Sequence, residues 1–97
     1  MEAKPLRLLG LAKRAGQLVC GMDAVKKAAG RAQLLLLAGD AGHSAQREAE
    51  RFGKPLMVLP YNKEELGRAA GRETCAVAAV LNQEFSRGII EALNGGT

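Results

Sequence analysis

The run "QLLLLAGD", Gln33 to Asp40, constrains the fold of this chain more than any other stretch. Four consecutive leucines cannot alternate a dry face with a wet one. The run is also too short for an ordinary helix. Bounded by Gly39 and Asp40, it reads as a strand covered on both faces. "CAVAAVL", Cys75 to Leu81, has the same character. Strands of this kind need a sheet with helices above and below it.

The intervening segments supply those helices. "PLRLLGLAKRAG" places Leu8, Leu11, Ala12 and Ala15 at helical spacing, with Pro5 early and Gly16 at the end. "QLVC" is a short strand. Val25, Ala28, Ala29 and Ala32 form the apolar stripe of a second helix. Asp23, Lys27 and Arg31 recur every fourth residue on its outward face. Ala45, Ala49 and Phe52 line a third helix, which Gly53 stops. "PLMVLP" is a strand held between Pro55 and Pro60, which suits a sheet edge. Asn62 and Glu65 have the spacing of a capping box, and Gly71 closes the helix they open. Asn82 begins a last helix carrying Phe85, Ile89 and Leu93, and residues 94–97 are expected to fray. One helix followed by four strand–helix pairs predicts an α/β layered domain. A chain of 97 residues suffices for one such domain, spanning 1–97, and not for two.

The formal net charge is +4, and its distribution is uneven. Lys4, Arg7, Lys13, Arg14, Lys26, Lys27 and Arg31 face only Glu2 and Asp23 within the first third, whereas the remainder is nearly balanced. A local basic field favours an anionic partner, most commonly nucleic acid. With one Tyr, two Phe and no Trp, the chain is poorly equipped to stack splayed bases on aromatic platforms. Contacts to backbone, shape and base edges suit it better.

Catalytic chemistry finds little support. His43 is the only histidine, in the polar turn "DAGHSAQ", so neither a nucleophilic triad nor a zinc site can be assembled around it. Cys20 and Cys75 read as small buried hydrophobes in a reducing compartment. Asp40 follows a strand, where phospho-accepting aspartates occur, but no second carboxylate is nearby to hold Mg²⁺. Asp40 and Ser44 are better read as caps of the next helix. There is no GxGxxG after a strand and no GxxxxGK[ST]. The expectation is no catalytic residue, no metal and no cofactor. Nothing reads as a signal peptide, and "LLLLA" is too short to cross a membrane. A cytoplasmic protein with no membrane partner is expected.

Two loops carry the remaining interest. "VCGMDAVKK" joins a strand to a helix, and a helix start after a glycine is a natural phosphate site. "LGRAAGRETCAV" joins a helix to a strand and presents Arg68, Arg72, Glu73 and Thr74. Each also has an ordinary explanation. Asp23 can simply complement the helix dipole and pair with Lys27, and Arg72 and Glu73 can be solvated loop charges.

The segments "LLGLAKRAGQLVCG", "LAGDA", "LG.A.G" and "E.CAVAAV" together resemble the family of ribosomal proteins L7Ae and L30e, which includes kink-turn RNA-binding proteins. The similarity is greatest to its small bacterial YlxQ-like branch and runs from about Leu8 to Ile90. The resemblance implies a three-layer α-β-α sandwich with a central mixed four-stranded sheet. It also implies that the two loops form one RNA surface. Gly21 would then let the backbone approach RNA, and the helix starting near Met22 would aim its amides at phosphate. Asp23 and Ala24 match an Asn-Glu pair that reads guanines of tandem sheared G·A pairs in relatives. Lys27 matches a lysine that reaches a purine edge or a phosphate. Arg72, Glu73 and Thr74 match the loop over the flipped-out nucleotide.

The departures bear on selectivity. Aspartate stands for Asn at residue 23, and alanine for Glu at residue 24. A carboxylate accepts from guanine N–H groups but donates nothing, and Ala24 does neither. Losing a good base contact costs about 1–3 kcal/mol of discrimination. More of the affinity is therefore expected from Lys13, Arg14, Lys27, Arg31, Arg68 and Arg72. Arg72 stands where the family usually has an apolar residue, and its guanidinium can stack on the extruded base. The expected protein is a monomeric, non-enzymatic binder of structured RNA, of kink-turn type, ribosomal-protein-like or ribosome-associated. Kink-turn RNA, including ribosomal RNA, is the expected partner, and DNA is not. The alternatives are a small-molecule or nucleotide-binding α/β module, which needs a closed pocket beside the second helix, and a protein–protein adaptor, which needs an unusually large exposed apolar patch.

Overall fold

The computed structural model describes residues 3–95. Helix α1 spans Lys4–Arg14, strand β1 Leu18–Cys20 and helix α2 Met22–Ala28, which a single 3-10 turn at Ala29–Arg31 extends. Strand β2 spans Leu34–Leu37, helix α3 His43–Glu50, strand β3 Leu56–Val58 and helix α4 Lys63–Ala69. Strand β4 spans Val77–Val80, and helix α5 Gln83–Leu93. This is the expected alternation, one helix and then four strand–helix pairs.

The two continuous apolar runs occupy the centre of the sheet. Strand order is β1-β4-β2-β3. Strand β4 pairs antiparallel with both β1 and β2, and β2 pairs parallel with β3, so the sheet is mixed. Successive side chains of a strand point to opposite faces. Leu34, Leu36, Ala78 and Val80 accordingly meet Leu9 and Ala12 of α1, Leu66 of α4 and Ile89 of α5. Leu35, Leu37, Val77 and Ala79 meet Val25 of α2 and Ala49 of α3 on the other side. The result is the expected three-layer α-β-α sandwich. All eight residues of β2 and β4 are buried, because each lies against one helical layer or the other. Strand β3 lies at the edge between its two prolines, and Val58 there is 56% exposed.

The inward face of α1 differs from the expected one. Pro5, Leu9 and Ala12 are buried, whereas Leu11 is 47% exposed and Ala15 is exposed. "PLRLLGLAKRAG" is apolar around much of its circumference, so two stripes satisfy the helical period. Packing against α4 and α5 selects the Leu9 stripe, and Leu8 remains at its flank.

Asp40 caps a different helix from the expected one. Its Oδ1 accepts from the Lys63 backbone N–H at 2.8 Å, at the start of α4. Helix α3 begins instead after Gly42, without a side-chain cap, and Ser44 is exposed in its first turn. The parallel pairing of β2 with β3 is the cause. It places the ends of both strands together, with Gly39 N–H donating to Tyr61 O at 2.7 Å, and so brings Asp40 to the next helix but one. His43 is exposed, as expected, but opens α3 rather than lying in a turn.

The capping box of α4 forms in both directions, Glu65 N–H to Asn62 Oδ1 at 2.8 Å and Asn62 N–H to Glu65 Oε1 at 2.9 Å. Asn82 caps α5 through Phe85 N–H at 2.9 Å. Of the tail expected to fray, Asn94 caps α5 and Gly95 turns away with positive φ, while Gly96 and Thr97 lie outside the described residues.

Replacing Leu36, fully buried at the centre of the sheet, by alanine is expected to cost about 2–5 kcal/mol of stability in urea unfolding. Asp40→Ala is expected to cost about 1 kcal/mol through the lost cap on α4. Ser44→Ala, which removes no cap, is expected to leave the unfolding midpoint unchanged.

Candidate nucleic-acid interface

Antiparallel pairing of β1 with β4 puts the end of β1 beside the start of β4. The β1–α2 loop and the α4–β4 loop therefore leave the sheet at the same place. Gly21 N–H donates to Val77 O at 2.9 Å and joins them directly. Gly21 has φ 92° and ψ 147°, a combination that essentially only glycine adopts. A Cβ there would also lie 3.4 Å from the Arg72 guanidinium. Gly21 is thus required by its own backbone, while a Cβ there would only touch the guanidinium that crosses over it.

What crosses is a tether. Arg72 Nη1 donates to Cys20 O at 2.8 Å, binding one loop to the other. Arginine has five N–H donors, so this bond uses only one of them. The residue remains exposed overall. Its guanidinium both shapes the surface and stands on it.

The α4–β4 loop is pressed onto α4 as well. An ideal Cβ on Gly67 would lie 2.6 Å from Thr74 Cα and 2.7 Å from Thr74 N and C. No side chain fits between helix and loop. Arg72 N–H donates to Gly67 O at 2.7 Å, and Cys75 N–H to Lys63 O at 2.9 Å. These bonds hold Arg72, Glu73 and Thr74 exposed on a fixed backbone. Gly67 is the residue that reasoning from sequence missed. Its only signal is the first glycine of "LG.A.G", since a glycine inside a helix costs about 1 kcal/mol relative to alanine and so calls for a packing reason.

Beneath the junction lie Cys20 and Cys75, 5% and 4% exposed, in one core cluster and near enough for each thiol to shift the other's ionisation. Both are buried, as expected. Cys75 Sγ donates to Val77 O at 3.1 Å. The Cys75 sulfur and burial push the Cys20 thiol far above its ordinary range, against the opposing pull of Lys13 and Arg72. Cys75 moves the other way. The Cys20 thiol lowers it most, and Gly21 N–H and the Arg72 guanidinium add to this against burial.

The remaining candidates spread outward from this junction. Asp23 and Lys27 are exposed on α2, and Met22 and Ala24 are half-buried. No side chain caps the start of α2. Lys13, on the last turn of α1, pulls the Cys20 thiol down weakly through its charge. Arg68 ends α4 just before the loop. Arg14 and Arg31 lie further away. Arg14 ends α1 at the opposite end of β1 from Gly21. Arg31 is about 12–14 Å beyond Asp23 along the helical path. Asp23, Lys27 and Arg31 are all exposed, but the ion pair found on α2 is Lys26 Nζ to Glu48 of α3 at 3.5 Å, an exposed link of little energetic weight.

Two depressions lie away from this junction. An open depression lined by Ser44, Arg47, Glu48 and Arg51 lies on α3, and a groove lined by Leu8, Asn82, Glu84 and Phe85 lies between α1 and α5. Neither includes Gly21 or the start of α2. The large exposed apolar side chains among the described residues, Leu11 and Val58, sit on separate elements rather than in one patch.

Residues 3–90 match the model of the Ribosomal protein L7Ae/L30e/S12e/Gadd45 family. The chain is 38% identical over 94 residues to the RNA-binding protein YlxQ of Bacillus subtilis (strain 168), covering 90% of this chain and 92% of that one. Among solved structures, a protein with unknown function from Bacillus halodurans C superposes with a TM-score of 0.85 at 36% identity, covering 96% of this chain and 99% of that one. The Giardia lamblia 15.5kD RNA binding protein shares the fold, with a TM-score of 0.68 at 20% identity over 93% of this chain and 82% of that one.

Gly67→Ala tests the close approach of loop to helix. In an unobstructed helix interior this substitution stabilises by about 1 kcal/mol. Here it is expected to destabilise, because the new methyl meets Thr74 backbone atoms. An increase in the urea midpoint would contradict that contact.

Proposed function

This chain belongs to the ribosomal protein L7Ae/L30e/S12e/Gadd45 family, and from that premise we propose that it binds structured RNA, without catalysis, on the surface its two adjoining loops form. The observation that carries the proposal is the Arg72 tether to Cys20 O. It makes one preorganised surface of two loops that are far apart in sequence. The name of the Bacillus subtilis relative, RNA-binding protein YlxQ, supports the same reading, as does the basic excess in the first third of the chain.

Kink-turn RNA is the class that this surface fits best. Gly21 offers the close backbone approach, with Met22 and Ala24 half-buried behind it. Asp23 accepts from guanine N–H groups of the sheared pairs. Lys27, one turn later, meets a purine edge or a phosphate. Glu73 and Thr74 cover the extruded nucleotide, and Arg72 presents its guanidinium face and remaining N–H donors beside them. Lys13 and Arg68 add phosphate contacts close to the junction, and Arg14 and Arg31 add longer-range attraction. Ala24 contributes no polar contact, so discrimination rests more on the shape of the kink than on base edges. We place the protein in the cytoplasm, as a monomer, ribosomal-protein-like or ribosome-associated. No helix among the described residues is long and apolar enough to cross a membrane.

Titration of a kink-turn RNA and of a matched duplex lacking the G·A pairs, across a salt series, tests this. The kink-turn is expected to bind more tightly, and both affinities are expected to fall steeply with salt as counterions are released. Equal affinities would remove the kink-turn assignment and leave general RNA binding. Lys27→Ala is expected to weaken binding and to reduce the salt slope by about one if its contact is to phosphate. Arg72→Ala is expected to weaken kink-turn binding, and unchanged binding would show that the two-loop surface is wrong. Asp23→Asn, which regains a donor, is expected to raise preference for the kink-turn by about tenfold, in line with 1–3 kcal/mol per base contact. His43→Ala serves as the silent control.

A further inference from the structure

Cys20 and Cys75 lie in one buried cluster, one at the root of each loop, with Cys75 Sγ and the N–H of Gly21, next to Cys20, both on Val77 O at 3.1 and 2.9 Å, and the proposed RNA contacts make no use of them. They are the only two cysteines in the chain, so a disulfide within the chain can have one connectivity. The surrounding backbone is already fixed. Gly21 N–H to Val77 O and Arg72 Nη1 to Cys20 O hold the two loops together, and Cys75 N–H to Lys63 O holds the cysteine itself. A thiol pair buried merely as filler does not need both members at one contact.

We propose that Cys20 and Cys75 are a reversible redox pair whose disulfide closes inside the folded domain and joins the two loops covalently. The oxidant is a small-molecule disulfide. The Cys75 thiolate, favoured by the Cys20 thiol and the Arg72 guanidinium, attacks one of its sulfurs. That forms a mixed disulfide and releases one small thiolate. Cys20 then loses its proton and attacks the Cys75 sulfur, which forms the internal bond and releases the second small thiolate. The two protein thiols lose two electrons and two protons, and the two released thiolates take up the protons. The exposed segment from Gly71 to Thr74 leads directly into Cys75, and local opening of this loop admits the oxidant. A disulfide is about 2.05 Å long, shorter than the contact between two unbonded sulfurs, so closure draws the α4–β4 loop toward β1. In a reducing compartment the pair is open at rest and closes under oxidative challenge. The chemistry holds whatever ligand the two loops bind.

The full chain, folded, is incubated with oxidised glutathione, quenched in acid and alkylated, and its intact mass is measured. The expected product is a monomer that has lost two hydrogens, takes up no alkylating reagent and yields one linked Cys20–Cys75 peptide on digestion. Dithiothreitol should restore both thiols. Cys20→Ala is expected to stop at a single glutathione adduct on Cys75, and Cys75→Ala to react at least about tenfold more slowly. Alanine is used because it buries no hydroxyl, and circular dichroism confirms that each variant is folded. The wild-type mass decides the matter even if a variant does not fold. Separate adducts on both cysteines, dimers linked between chains, or reaction only after denaturation would each overturn the proposal. Amide exchange of residues 71–76 supplies a second readout. It should slow in the oxidised protein, and unchanged exchange would overturn the claim that closure draws the α4–β4 loop toward β1.

Discussion

The position of β4, antiparallel between β1 and β2, is the constraint on which the rest of the structure depends. Its four residues are buried on both sides, so the strand must be central and must be covered by two helical layers. Its start lies beside the end of β1 only because the two run antiparallel. In a parallel pairing the α4–β4 loop would leave the sheet at the opposite end from Gly21, and no shared surface would exist. The core and the candidate site are therefore consequences of one strand placement.

The site is held by backbone rather than by side-chain packing. Gly67 lets the loop lie on α4 at a separation that no side chain permits, and Gly21 turns the chain through a conformation other residues avoid. Arg72 links the two loops with a single charge-assisted hydrogen bond. A surface prepared in this way loses little conformational entropy when it meets a ligand, which favours affinity without additional contacts. The thiol pair beneath it offers a second, covalent way of holding the same two segments.

Much of the architecture was legible in the sequence, for reasons that differ from element to element. "QLLLLAGD" and "CAVAAVL" left no choice but doubly covered strands. Asn62 with Glu65 is a local device, complete within four residues, and it forms as read. The face of α1 was not legible, since its leucines allow two stripes and only α4 and α5 choose between them. The cap made by Asp40 is not legible either, because its partner, Lys63 N–H, follows the neighbouring strand β3 rather than lying next along the chain.

The same division applies to the candidate site. Local pattern was enough to mark both loops, the basic excess and the helix start after Gly21. It could not show that Arg72 reaches Cys20 O, that Thr74 rests on Gly67, or that the two cysteines meet. Arg72 and Cys20, and the two cysteines, are separated by more than any helical or strand period encodes, and Thr74 meets Gly67 only because the chain turns back on α4. Amino-acid order dictates which segments bury which faces, through hydrophobic periodicity. Strand order and direction then decide which distant residues become neighbours, because sheet hydrogen bonding sets that register across the whole domain.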